Sequence, residues 1–105
     1  MLNKPVFAAD LVKKSNITRA LAIAAHPDDI DFGAAATIAA LAEAGVEVTY
    51  CLVTSGDAGG FELDASREAM VARREQEQRD AAAVVGVSDV RYLKHADGYV
   101  EACRR

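Results

Sequence analysis

Cysteine is scarce in this sequence: Cys51 and Cys103 are the only two in 105 residues. A small domain stapled by disulfides uses more, so a reducing cytoplasm is the expected compartment, and Cys51, inside an apolar run, reads as a small buried residue. A basic cluster is also lacking. Lys and Arg number 12 against 16 Asp and Glu, for a net charge of -4, and the terminal Arg104-Arg105 pair is too short to attract nucleic acid, which is excluded as a partner. There is no long hydrophobic run. Lys4, Asp10, Lys13, Lys14 and Arg19 break up the first 20 residues, so a signal peptide is not expected there, and no stretch is long enough to span a membrane. Internal repeats are absent.

What is present is a half-hydrophobic chain (51%), rich in Ala, Val, Leu and Ile. That composition excludes disorder and suits one small domain, near the low end of what buries a good core alone. Residues 1–19 are polar and aperiodic and read as an N-terminal arm or a short capping segment. Residues 20–25 (Ala-Leu-Ala-Ile-Ala-Ala) are wholly apolar, as in a strand buried on both faces of a parallel sheet. The composition suits a helix equally well, but Pro27 forces His26 out of the helical region.

A helix is predicted from about Ile30 to Ala44, with Asp28 and Asp29 at its positive end and Gly45 as its stop. Val46–Val53, rich in β-branched residues, reads as a second strand, and Thr54–Gly60 as a glycine-rich loop. A long helix follows from about Ser66 to Val85, then a third strand from Asp89 to Leu93. The order βαβαβ points to an α/β fold, Rossmann-like and three-layered, with a mostly parallel sheet of about three strands and right-handed crossovers.

Ligand sites in such sheets form beyond the carboxyl ends of the strands. Two polar loops fall there: His26–Asp31 and Thr54–Gly60. The first holds one imidazole and three carboxylates, His26, Asp28, Asp29 and Asp31. Zinc takes His nitrogen and Asp oxygen, and a water activated by a metal needs a base. Adjacent aspartates can divide these tasks; they can equally do no more than cap the helix. On the long helix, Met70, Arg74, Glu77, Ala81 and Val84 or Val85 recur at +4, +3, +4 and +3 or +4, one helical face with apolar ends that should pack on the sheet. Arg74 and Glu77 would then face inward, as a structural ion pair or as part of a site. Arg73, Glu75 and Arg79 read as a solvated face.

The string Ala25-His26-Pro27-Asp28-Asp29 resembles the signature of the PIG-L/LmbE family of zinc-dependent N-deacetylases. The likeness continues through Gly33–Thr37, Val53–Gly59, Arg74-x-x-Glu77 with Ala81-Ala82 and Val85-Gly86-Val87, and Tyr92-Leu93 to Asp97-Gly98, so that it covers about residues 20–100. Family members act on N-acetylglucosamine-linked molecules, including intermediates of mycothiol and bacillithiol synthesis and of GPI anchors. The resemblance implies zinc ligation by His26 and Asp29, proton abstraction by Asp28, and sugar-hydroxyl binding by Arg74 and Asp97. It implies a small amino-sugar conjugate as substrate and hydrolysis of its acetamide. Asp31, where many relatives have Glu, is expected to support the helix start rather than to ligate. Asp57 is expected to shape its loop, and His95 to be an exposed loop histidine.

The family's third zinc ligand comes from a downstream His-Pro-Asp-His-type motif, and its oxyanion histidine lies there too. Neither is found here, so residues 20–105 are expected to be the N-terminal part of such a domain, truncated, holding Zn2+ weakly. Whether the piece is an enzyme stays open. The other expectation is a non-catalytic remnant that binds a sugar-like ligand or pairs with a second chain, through an exposed sheet edge that favours homo-oligomers. A nucleotide-binding module is disfavoured, because His-Pro-Asp-Asp replaces a Gly-x-Gly-x-x-Gly loop and its acids repel phosphate.

Overall fold

The computed structural model describes residues 7–56, 67–96, 98, 100 and 101. Its elements run α1 (Ala8–Ser15), β1 (Arg19–Ala24), α2 (Asp29–Glu43), β2 (Glu47–Thr54), α3 (Arg67–Val84) and β3 (Asp89–His95). The expected βαβαβ order is present. The three strands form one parallel sheet in the order β1-β2-β3, so the fold is α/β as expected.

Local chemistry accounts for the boundaries. Pro27 follows β1 and cannot donate to a ladder. Alanines dominate α2 and favour the helix. At its end the Gly45 and Val46 amides turn back onto the Ala42 and Leu41 carbonyls, with Gly45 at φ 90°. In β2, Val48, Tyr50, Leu52 and Thr54 alternate into the interior. Ile30 and Ile38 of α2, Ala82 of α3, and Val46 and Val87 beside the strands complete the core with them. The small Ala20, Ala22 and Ala24 of β1 pack at its margin.

Two departures concern the chain's first part and its sheet faces. Residues 1–19 read as polar and aperiodic, yet Ala8–Ser15 form a helix and Arg19 already belongs to β1. Helix α1 packs against α2 and lays Val12 on the core, with Ile17 after it, while Phe7 and Leu11 stay exposed. Eight residues are too few for a period to stand out among three charged side chains. Both α2 and α3 feed the same core face. On the opposite face Leu21 (60%), Ile23 (64%) and Leu93 (54%) are exposed. Cys51 alternates onto that face, free and half-buried, not fully buried as expected.

Strand β3 runs two residues past its expected end. Leu52 pairs with Tyr92 but Thr54 with His95, so one extra residue is inserted in β3, and Lys94 takes a left-handed φ of 62°. This bulge brings His95 level with Thr54 at the carboxyl edge of the sheet. No helix among the described residues is long and apolar enough to cross a membrane.

Candidate functional site

The carboxyl ends of β1 and β2, from which the two polar loops leave, are joined directly. The Thr54 amide and hydroxyl both donate to the Ala25 carbonyl, each at 2.9 Å, and the Gly56 amide donates to the Thr54 hydroxyl at 3.2 Å. Thr54 is buried, so one side chain ties the end of β1 to the end of β2.

Within the first loop, His26 and Asp29 form a closed turn. The His26 amide donates to Asp29 Oδ2 at 2.9 Å, and the Asp29 amide to the His26 carbonyl at 3.3 Å. His26 Nδ1 stands 3.4 Å from the same carboxylate oxygen, and the two side chains are 43% and 48% exposed, so both remain open to a ligand. Pro27 is buried beneath them.

Asp28 precedes α2 with φ 76° and ψ -18°, a left-handed conformation that Asp tolerates better than most residues but not for nothing. Its carboxylate makes no capping bond to the helix, which removes the capping alternative for this residue. Its amide instead donates to Gln78 Oε1 at 2.7 Å. The Gln78 amide nitrogen donates to the Asp31 carboxylate, at 3.3 and 3.5 Å to its two oxygens. Burial raises the pKa of Asp31 above the usual carboxylate range. The Gln78 hydrogen bond opposes that rise, while the charge of Asp28 and a hydrogen bond with it reinforce it. Asp28 and Asp31 are therefore neighbours. Beneath them Tyr50 is fully buried, its hydroxyl without a hydrogen-bond partner among the described residues. Its pKa is raised by burial and by the Asp31 charge.

The inward face of α3 is rotated from the predicted one. Glu75, Gln78 and Ala82 are buried, and Met70, Arg74 and Ala81 are only half-buried; of the two valines offered, Val85 packs on the core and Val84 is 86% exposed, and Glu77 is exposed. Glu75, expected on the solvated face, accepts from the Ser55 hydroxyl at 2.9 Å, and Lys94 Nζ approaches it at 3.8 Å. The true stripe carries two polar residues because the loops need them, and that hid it from an apolar count. Arg74 is half-buried on its flank. A Cβ at Gly56 would meet Arg74 Cδ at 3.1 Å and Pro27 Cδ at 3.6 Å, so Gly56 lies against both the Arg74 stem and the first loop. Arg73 and Arg79 are exposed as predicted, with the Arg79 guanidinium 5.2 Å from the Tyr92 ring centre.

Tyr92 Oη donates to the Glu75 carbonyl at 2.8 Å, and burial pushes its pKa up to about 12. Asp57, Asp97 and Cys103 lie outside the described residues. Gln78, Glu75 and Ser55 are the site residues that the sequence reading missed. The +3 spacing of Glu75 and Gln78, ahead of Ala82 by +4, was the available signal.

An imidazole nitrogen and a carboxylate oxygen are donor types that zinc accepts, and His26 with Asp29 supplies one of each. Among the described residues no group of three or more His, Cys, Asp and Glu could hold a metal ion. The fit is thus two donors of a zinc shell.

Comparison with known proteins gives this geometry a context. The profile of a family described as "PIG-L: GlcNAc-PI de-N-acetylase" matches residues 21–105. A probable N-acetyl-alpha-D-glucosaminyl L-malate deacetylase 2 of Bacillus cereus is 37% identical over 84 residues, which cover 77% of this chain and 38% of that protein. The solved structure of N,N'-diacetylchitobiose deacetylase from Pyrococcus horikoshii superposes with a TM-score of 0.77 at 31% identity, over 82% of this chain and 32% of the other. GalB of Pseudomonas putida, a 4-carboxy-2-hydroxymuconate hydratase, reaches 0.76 at 23% identity, over 83% of this chain and 38% of its own; that likeness concerns the fold alone. The chain spans about a third of the length of the curated relatives it matches.

Proposed function

The chain belongs to the PIG-L family, and from that footing we propose that its chemistry is zinc-dependent hydrolytic removal of the acetyl group from an N-acetylglucosamine-like conjugate. The carrying observation is the turn that sets His26 and Asp29 together at the carboxyl end of β1, beside an Asp28 carboxylate that makes no capping bond to α2. The relatives named above act on acetylated glucosamine compounds according to their names; the amino-sugar substrate is proposed on that likeness.

His26 and Asp29 would hold the zinc, as two of its donors. Bound there, zinc would polarise the acetamide carbonyl and acidify a water. Asp28 would serve as the base that takes a proton from the attacking water and returns it to the leaving nitrogen, so that the C–N bond breaks to give acetate and the free amine. Arg74, whose stem borders Gly56, would hold sugar hydroxyls, and Asp97 would share that task. We place the reaction in the cytoplasm, in keeping with the free thiol of Cys51.

Two measurements test this reading. Purified chain is expected to carry less than one equivalent of zinc by elemental analysis, because two donors hold it weakly, and His26→Ala is expected to carry none. Undiminished zinc in His26→Ala would remove it as a ligand. Where acetate release from an N-acetylglucosamine conjugate is measurable, Asp28→Asn should keep the zinc and lose turnover by at least about a hundredfold; parental turnover would end the assignment of Asp28 as base.

A further inference from the structure

We propose that Gln78 is a positioning residue for the His26–Asp31 loop, its buried carboxamide holding Asp28 left-handed through the Asp28 amide and Asp31 in place through its carboxylate. Gln78 is 0% exposed, so neither end of its amide reaches water. The oxygen accepts from the Asp28 amide at 2.7 Å and the nitrogen donates to the Asp31 carboxylate at 3.3 Å.

Chemistry fixes this orientation. A backbone N–H only donates and a carboxylate only accepts, so a flipped amide would set donor against donor and acceptor against acceptor. Position 78 lies on the inner stripe of α3, between Glu75 and Ala82, where an apolar side chain would pack at less cost. Both polar ends of the glutamine are nevertheless committed to the motif loop, 50 and 47 residues away in sequence. Asp28, at φ 76° with no capping bond of its own, is the strained residue that such a clamp retains. The clamp acts through Asp28 and Asp31 and touches no substrate. Its catalytic meaning rests on Asp28 being the base; its geometry does not.

The test is a donor–acceptor swap in the purified chain. Gln78→Met removes both bonds, and Gln78→Glu sets a carboxylate against Asp31. Gln78→Glu combined with Asp31→Asn restores both bonds, one Glu oxygen accepting from the Asp28 amide as before and the other accepting from the Asn side chain, with donor and acceptor exchanged. The readouts are hydrogen exchange of the Asp28 amide by NMR, with the Leu52 amide of β2 as internal control, and zinc affinity. Each single variant is expected to speed Asp28 exchange roughly tenfold with Leu52 unchanged, and to weaken zinc by about tenfold or more. The swap should return both readouts to within about threefold of the parent. Unchanged Asp28 exchange in Gln78→Met, or a folded swap as impaired as Gln78→Glu, overturns the proposal. Should Gln78→Met not fold, the swap against Gln78→Glu decides. A parent chain that takes no zinc would count against the deacetylase reading alone, since the exchange arm needs no metal.

Discussion

At the scale of single residues, the site depends on positions where only one side chain fits. Gly56 is the clearest. Its φ of 71° is left-handed, and a Cβ there would stand 3.1 Å from Arg74 Cδ. Gly56→Ala therefore meets two separate costs. The backbone term is about 1–2 kcal/mol, which lowers the melting midpoint of a domain this size by roughly 5–15 °C. The crowding term falls on Arg74. Combining Gly56→Ala with Arg74→Ala should relieve the second cost and leave the first, so thermal melts of the double mutant should show less than additive loss. Strict additivity would mean that Arg74 simply swings aside. His26 and Asp29 need no such exclusion, because their turn closes through their own backbone amides. For that reason the motif was legible in sequence, while the Arg74 environment was legible only in part.

At the scale of elements, the strands and α2 were readable because their signals are local: β-branched runs, an alanine-rich stretch, glycine and proline at the ends. Helix α3 was readable in extent but not in phase. Apolar counting favours the Met70–Ala81 face, whereas tertiary demand buries Glu75 and Gln78, each satisfied by a partner on another element. A buried polar residue that serves a distant loop has no local signature. The bulge at Lys94 was invisible for the same reason. It arises where β3 meets Glu75, and sequence carries no register. The α3–β3 contact also makes a pH prediction. Tyr92 donates to the Glu75 carbonyl and its pKa is raised to about 12 from an ordinary 10. The protonated phenol is thus favoured in the folded state. Its contribution is full below pH 10 and is lost as pH rises through 12. Melts followed by circular dichroism should drop across that window. Tyr92→Phe should start lower by about 1 kcal/mol, for the lost hydrogen bond, and fall less steeply. An equal alkaline slope in both proteins would assign the loss to other groups, Tyr50 among them.

At the scale of the whole molecule, the sheet is asymmetric. Helices α2 and α3 cover one face, and that face holds the entire core cluster. The other face displays Leu21, Ile23 and Leu93, each more than half exposed, and among the described residues the outer strands β1 and β3 are edges. Exposed apolar side chains on a sheet face favour association, and unpaired parallel edges offer a template for it. Self-pairing was an expectation from sequence, and we propose the open face as its seat. Sedimentation equilibrium of the purified chain should give a mass that rises with concentration above the 11.1 kDa of one copy. Leu21→Lys with Ile23→Thr changes only side chains that already face solvent, and threonine keeps the branched Cβ that suits a strand. The pair should therefore leave the melting midpoint within a few degrees of the parent while returning the mass to one copy at every concentration. A parent that stays at one copy throughout would show that the open face is tolerated in water as it stands. A variant that still associates would move the contact to the strand edges, where the backbone, not Leu21 or Ile23, makes the bonds.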